Sequence, residues 1–142
     1  MGINVYLYFN GNCREALEFY EEVFGTKQYQ TMTYGETPPN PEFILPEEVK
    51  PLIMHSRLNI NGSVVMFSDT FPGSPFTVGN NVSLTLISTS VDQLKSYYNK
   101  LSEGGVIGQE LTETFWSKAY GSLTDKFGIE WQVSHINDET EM

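Results

Sequence analysis

The chain has 142 residues, 39% apolar and 13% aromatic, enough to bury one core, and residues 1–142 are expected to form a single domain. Eight Lys and Arg stand against eighteen Asp and Glu, a net charge of −10 with no basic cluster, so neither nucleic acid nor an anionic membrane is expected as a partner. No apolar run approaches ~20 residues, the start MGINVYLYFNG lacks the features of a secretory leader, and the one cysteine, Cys13, rules out an internal disulfide; the sequence reads as cytoplasmic.

Ile3 to Phe9 alternates, with Ile3, Val5, Leu7 and Phe9 on one face and Asn4, Tyr6 and Tyr8 on the other. Asn10-Gly11-Asn12 is turn chemistry, and Asn12 is placed to cap a helix from Cys13 to Phe24. Ala16, Leu17, Tyr20 and Phe24 recur at helical spacing there, and Gly25 stops the run. Lys27 to Tyr34 suits a strand. Gly35 to Pro51 holds five of the seven prolines and reads as a loop or flap with one helical turn near Pro46 to Val49. Leu52 to Ile60 and Ser63 to Ser68, joined by Asn61-Gly62, form a hairpin with His55, Arg57 and Asn59 on one face.

Beyond the Pro/Gly linker Phe71 to Gly79, Asn81 to Ile87 reads as a strand. Ser90 caps a helix from Val91 to Glu103, which Gly104-Gly105 end. Val106 to Thr114 and then Phe115 to Ser134 supply the remaining strands. The last stretch is two runs around Asp125-Lys126-Phe127-Gly128, with Ile129, Trp131 and Val133 on the packed face and Glu130, Gln132 and Ser134 on the wetter one.

The halves repeat at an offset of 77, from Asn4 to Asn81, which carries Leu17 onto Leu94, Tyr20 onto Tyr97 and Phe24 onto Leu101. Each half reads strand, helix, three strands. Such a unit covers only one face of its own sheet, so the class is α+β, two βαβββ modules of about residues 1–79 and 80–142 paired around a shared interior.

The segments FNGNCREALEFYEEVFG and WSKAYGSLTDKFGIEWQ, with Met54-His55 opening the hairpin, resemble the PhnB-like branch of the vicinal-oxygen-chelate superfamily, the group of glyoxalase I and bleomycin-resistance proteins. The resemblance covers nearly the whole chain. It implies an open eight-stranded barrel-like sheet around a cleft, and a homodimer. Some members of the branch carry a demethylubiquinone methyltransferase label. No glycine-rich strand-to-helix turn followed by an acidic residue stands here to hold a methyl donor's nucleoside, so no such cofactor is expected.

The resemblance also implies metal ligands at the start of each module's first strand and within each last strand. These positions fall on Asn4 and Asn81 and, with Gly62-Ser63-Val64-Val65-Met66 aligned on Gly128-Ile129-Glu130-Trp131-Gln132, on Met66 and Gln132. None offers a carboxylate or imidazole, so no metal is expected. His55, Asp69 and Glu130 are the ligands left to another register.

The ligand-binding set is Tyr6, Tyr8, His55, Arg57, Trp116, Tyr120, Glu130 and Gln132: aromatic walls with a few polar groups, as small-molecule pockets have. The leading function is binding of an aromatic or partly apolar small molecule without metal. The alternatives are a metal-dependent lyase or dioxygenase, or a metal-free isomerase with His55 or Glu130 as base; a third is a vestigial cleft serving association. Each residue also has a plainer reading. His55 is then a hydrogen-bonded strand residue, Arg57 half of a salt bridge, the rings part of a dimer interface, and Cys13 and Asp125 structural. His135 reads as solvated.

Overall fold

Each half of the chain runs strand, helix and three more strands. The structure is a computed structural model that describes all residues from Met1 to Met142. It divides into two units, Met1–Phe76 and Thr77–Met142. The first holds β1 (Val5–Phe9), α1 (Cys13–Phe24), β2 (Tyr29–Thr33), β3 (Ile53–Ile60) and β4 (Ser63–Asp69). The second holds β5 (Leu84–Ser88), α2 (Val91–Ser102), β6 (Val106–Thr112), β7 (Tyr120–Thr124) and β8 (Glu130–His135). The sheets are ordered β1-β4-β3-β2 and β5-β8-β7-β6, with the first strand of each unit parallel to its last. The α+β class of two βαβββ modules is thus what the chain adopts, as two four-stranded mixed sheets with no closed barrel.

Alternation decides which face each sheet buries. In the first unit α1 lays Ala16, Leu17, Tyr20 and Phe24 on Phe9, Leu58, Val65 and Phe67, and the Tyr20 and Phe67 rings lie 5.8 Å apart. Each such side chain contributes about 1.5–3 kcal/mol by leaving water. In the second unit α2 does the same with Leu94, Tyr97, Tyr98 and Leu101 over Leu86, Leu123, Trp131 and Val133. Gly121 lets that helix approach, since a Cβ there would meet the Tyr98 ring at 2.8 Å. The β3–β4 turn has Asn61 at φ 51° and Gly62 at φ 90°, the pair of left-handed residues that a two-residue hairpin loop requires.

Two buried carboxylates fix the corners. Asp69, 1% exposed, accepts from the amides of Gly11 (2.9 Å) and Cys13 (3.0 Å) at Oδ1 and of Ile53 (2.9 Å) at Oδ2. The cap of α1 therefore comes from β4, because the Asn12 side chain, expected to serve, makes no capping bond. Asp125 accepts from the amides of Phe127 and Ile129 and from Trp131 Nε1, which joins its expected turn role to the core.

Several boundaries differ from the sequence reading. β2 spans only Tyr29–Thr33, interrupted by Gln30 at φ 53°. Trp116 lies before β7 rather than within it. The repeat is 79 residues for the strands (Val5 to Leu84) and 78 for the helices (Cys13 to Val91), because the β5–α2 connection is one residue shorter than the β1–α1 connection. His135 is buried at 7% exposure, not solvated, with Nε2 3.1 Å from the Thr89 carbonyl.

Asp69→Ala leaves three amides without their acceptor, a loss of about 3 kcal/mol or more. Urea unfolding followed by circular dichroism should show it; a variant with unchanged midpoint would contradict the role given to this carboxylate.

Candidate functional site

The face of the first sheet turned away from α1 gathers four of the expected residues. Register sets Tyr6 beside Met66 and Arg57 on the other side of Met66, while His55 follows two residues before Arg57 on β3. Tyr6 and Tyr8, two apart on β1, stack with centroids 4.7 Å apart and planes within 12°. The Tyr6 hydroxyl lies 3.1 Å from His55 Nδ1, and Arg57 Nε donates to His55 Nε2 at 3.3 Å. Tyr6, His55 and Arg57 therefore form one polar chain across three strands. Arg57 pairs with no carboxylate, against the salt bridge weighed from the sequence, whereas Lys50 pairs with Glu47. Burial, and then neighbouring Tyr8, push the Tyr6 phenol above its ordinary value, so it stays a donor at neutral pH.

The second sheet carries Tyr120, Glu130 and Gln132 on the face away from α2, and Trp116 stands in the segment before β7. Tyr120 donates to Gln132 Oε1, and its ring meets Trp116 edge-on at 5.4 Å. Trp116 is 56% exposed and touches the more exposed Phe115. Glu130 is held by the Thr124 hydroxyl on the facing strand. Tyr120, Trp116 and Gln132 thus make one group, and Glu130 sits apart from it with Thr124.

A further feature escaped the sequence reading. The proline-rich segment after β2 and Phe71 form an open pocket of about 700 Å³ lined by Tyr34, Pro38, Pro39, Phe43, Ile44 and Phe71. The Tyr34 and Phe43 rings lie 5.7 and 5.8 Å from that of Phe71. The Tyr34 hydroxyl donates to the Asp69 carbonyl, and Ser68 interacts with both the Tyr34 and Tyr6 phenols, so the cavity borders the Tyr6 face. Five prolines signalled a stiff loop, but no local pattern says which ring such a loop will cover.

The topology and this division of each sheet into a helix-covered face and a polar, aromatic one define the PhnB-like branch of the vicinal-oxygen-chelate superfamily. The chain belongs to the family described as 3-demethylubiquinone-9 3-methyltransferase, whose model matches residues 1–134. It is similar to the crystal structure of protein PA1353 from Pseudomonas aeruginosa, at 34% identity and a TM-score of 0.84, covering 97% of this chain and 99% of that one. A PhnB protein from Bacillus cereus is 26% identical with a TM-score of 0.77, over 96% of this chain and all of its own. A glyoxalase/bleomycin resistance protein from Albidiferax ferrireducens, 15% identical over 94% of this chain and 96% of its own, shares the fold with a TM-score of 0.60.

The residues do not suit the groups that these relationships bring to mind. At the strand pairs where the superfamily places metal ligands, register sets Tyr6 beside Met66 and Thr85 beside Gln132, instead of the expected Asn4 and Asn81, which precede their strands. A phenol, a thioether, a hydroxyl and an amide carry no charge to repay the stripping of water from a divalent ion. Both ring nitrogens of His55 are engaged, one of them by a guanidinium. No three His, Cys, Asp or Glu side chains converge. For a methyl donor's nucleoside, the β1–α1 turn has already committed its Gly11 and Cys13 amides to Asp69.

Cys13 is fully buried, and burial followed by the Asp69 carboxylate pushes its thiol well above the ordinary 9.0. Unfolding frees that proton, so this group makes stability fall as pH rises through about 9. A thiol-exchange reagent at pH 8 should leave Cys13 unlabelled in the native protein and label it at once in denaturant; rapid native labelling would refute the burial.

Proposed function

We propose that this chain is a metal-free small-molecule binding protein that holds an aromatic or partly apolar ligand against the polar faces of its sheets. The observation that carries the reading is the Tyr6–Tyr8 stack beside the His55–Arg57 pair. Tyr8 is 53% exposed and Arg57 lacks a carboxylate partner, so ring surface and hydrogen-bonding capacity are both available. Trp116, Tyr120 and Gln132 offer the same mixture in the second unit. A few directed polar groups among aromatic surface is how small-molecule sites combine affinity with orientation. A metal-dependent lyase or dioxygenase is disfavoured because the side chains at the superfamily's ligand positions are neutral. His55 also suits general-base work poorly, since both of its ring nitrogens already have partners.

The protein is further proposed to act in the cytoplasm, with no nucleic-acid or membrane partner, and as a homodimer. Exposed Ile44, Val82, Val106 and Phe115 supply apolar surface for self-association.

A thermal-shift screen of metabolites and antibiotics tests the binding reading. A ligand present at a hundred times its Kd adds about 2.7 kcal/mol to folding and raises the melting point by several degrees. Tyr8→Ala should weaken a hit about tenfold. Zn, Ni, Mn and Fe(II) in the same screen should give no stoichiometric binding. A metal held by His55 or Glu130, or an empty screen, overturns the reading. Light scattering at micromolar concentration should give twice the 16.1 kDa chain mass, and the monomer mass would remove the dimer.

A further inference from the structure

We propose that Arg57 forms a carboxylate-binding site, so that the ligand class is planar aromatic carboxylates; this rests on the binding reading above and names its substrate class. A guanidinium presents two edges to an anion, Nε with one Nη, or both Nη together. Here Nε–H is spent on His55 Nε2, which leaves the outer edge, the two Nη groups, unpaired. No side-chain nitrogen or oxygen in the protein is both buried and unpartnered, so these donors face solvent. The other arginine, Arg14, is committed through Nη2 to the Pro51 carbonyl at 2.8 Å. A lone unpaired guanidinium in a chain of net charge −10 is a local exception to an acidic surface.

His55 is what aims it. The guanidinium has only donors, so Nε2 must accept and the imidazole proton resides on Nδ1. That proton is directed at the Tyr6 oxygen, which also has Ser68 as a partner, so the phenol is held in place from two sides. One charged edge is thereby offered on the face that carries the stacked rings of Tyr6 and Tyr8. Binding makes no covalent bond: a carboxylate takes the two Nη groups and a flat ring covers the tyrosines. With one guanidinium and no second cation beside it, the site suits a singly charged carboxylate better than a phosphate, which draws on more donors. His55 is a positioning residue, since it acts through Arg57.

The test is titration calorimetry with 2-naphthoate, its neutral isostere 2-naphthamide, and inorganic phosphate. Wild type should bind naphthoate at least about tenfold more tightly than naphthamide and phosphate only weakly. Arg57→Gln should erase the preference while leaving naphthamide affinity within about twofold. His55→Ala should reduce the preference without erasing it, and Tyr8→Ala should weaken both naphthyl probes alike. Equal affinities in wild type, a preference that survives Arg57→Gln, phosphate outcompeting naphthoate, or no binding of either naphthyl probe at millimolar concentration overturns the inference. If Arg57→Gln does not fold, as judged by its melting curve, the wild-type ratio alone decides, and a ratio near one is fatal. Failure of the broader reading looks different: there, neutral compounds of the screen also leave the melting point unmoved.

Discussion

The first unit depends on one carboxylate. Asp69 ends β4, yet its two oxygens hold the turn after β1, the first turn of α1 and the start of β3. Two stretches far apart in sequence, Gly11 to Cys13 and Ile53, are tied to a single buried carboxylate, and the bonds to Cys13 and Ile53 are themselves buried. This is why β1 leaves its strand where it does and why α1 starts at Cys13. The same carboxylate adds to the effect of burial in pushing the Cys13 thiol upward. The second unit solves the same problem at another corner, with Asp125 closing the β7–β8 turn and Ser117 tying the His135 backbone to that of Ala119.

With the corners secured, each sheet divides its labour by parity. Odd positions of β8 feed the core and even ones stay half-exposed, and in β3 the even positions from Ser56 to Ile60 do the packing. Side chains on the face away from the helix can therefore vary without touching the side chains that hold it. On those faces register sets Tyr6 beside Met66 and Thr85 beside Gln132, four neutral side chains that the packing of the helices does not constrain.

Much of this was legible in the sequence because it is local. Cys13–Phe24 showed its own period and its own stop, Asn61-Gly62 dictated its turn, and the alternation from Ile129 to Val133 named its buried face. What was not legible is carried by long-range contacts. Nothing near Asn12 tells that Asp69, far along the chain, will take its place as cap. The strands repeat at 79 residues rather than 77, and it is Tyr6 and Thr85, not Asn4 and Asn81, that lie beside Met66 and Gln132. Alternation paired Tyr6 with Tyr8 and His55 with Arg57 on their own strands, but the order phenol to imidazole to guanidinium arises only from β1 and β3 flanking β4. His135, which looked like a tail residue, is drawn inward because β8 pairs with β5 up to that position.

The two tryptophans give the molecule an uneven spectroscopy. Both lie in the second unit, Trp131 sealed in the core with its indole N–H on Asp125 and Trp116 largely in solvent next to Tyr120. Intrinsic emission is therefore a sum of a blue, shielded component and a red, quenchable one, and the first unit contributes only tyrosine light. Melting of the Asp69-centred half would pass almost unseen at tryptophan wavelengths, while acrylamide would extinguish Trp116 and spare Trp131. The chain thus carries a built-in pair of optical markers on one half, and its other half is dark.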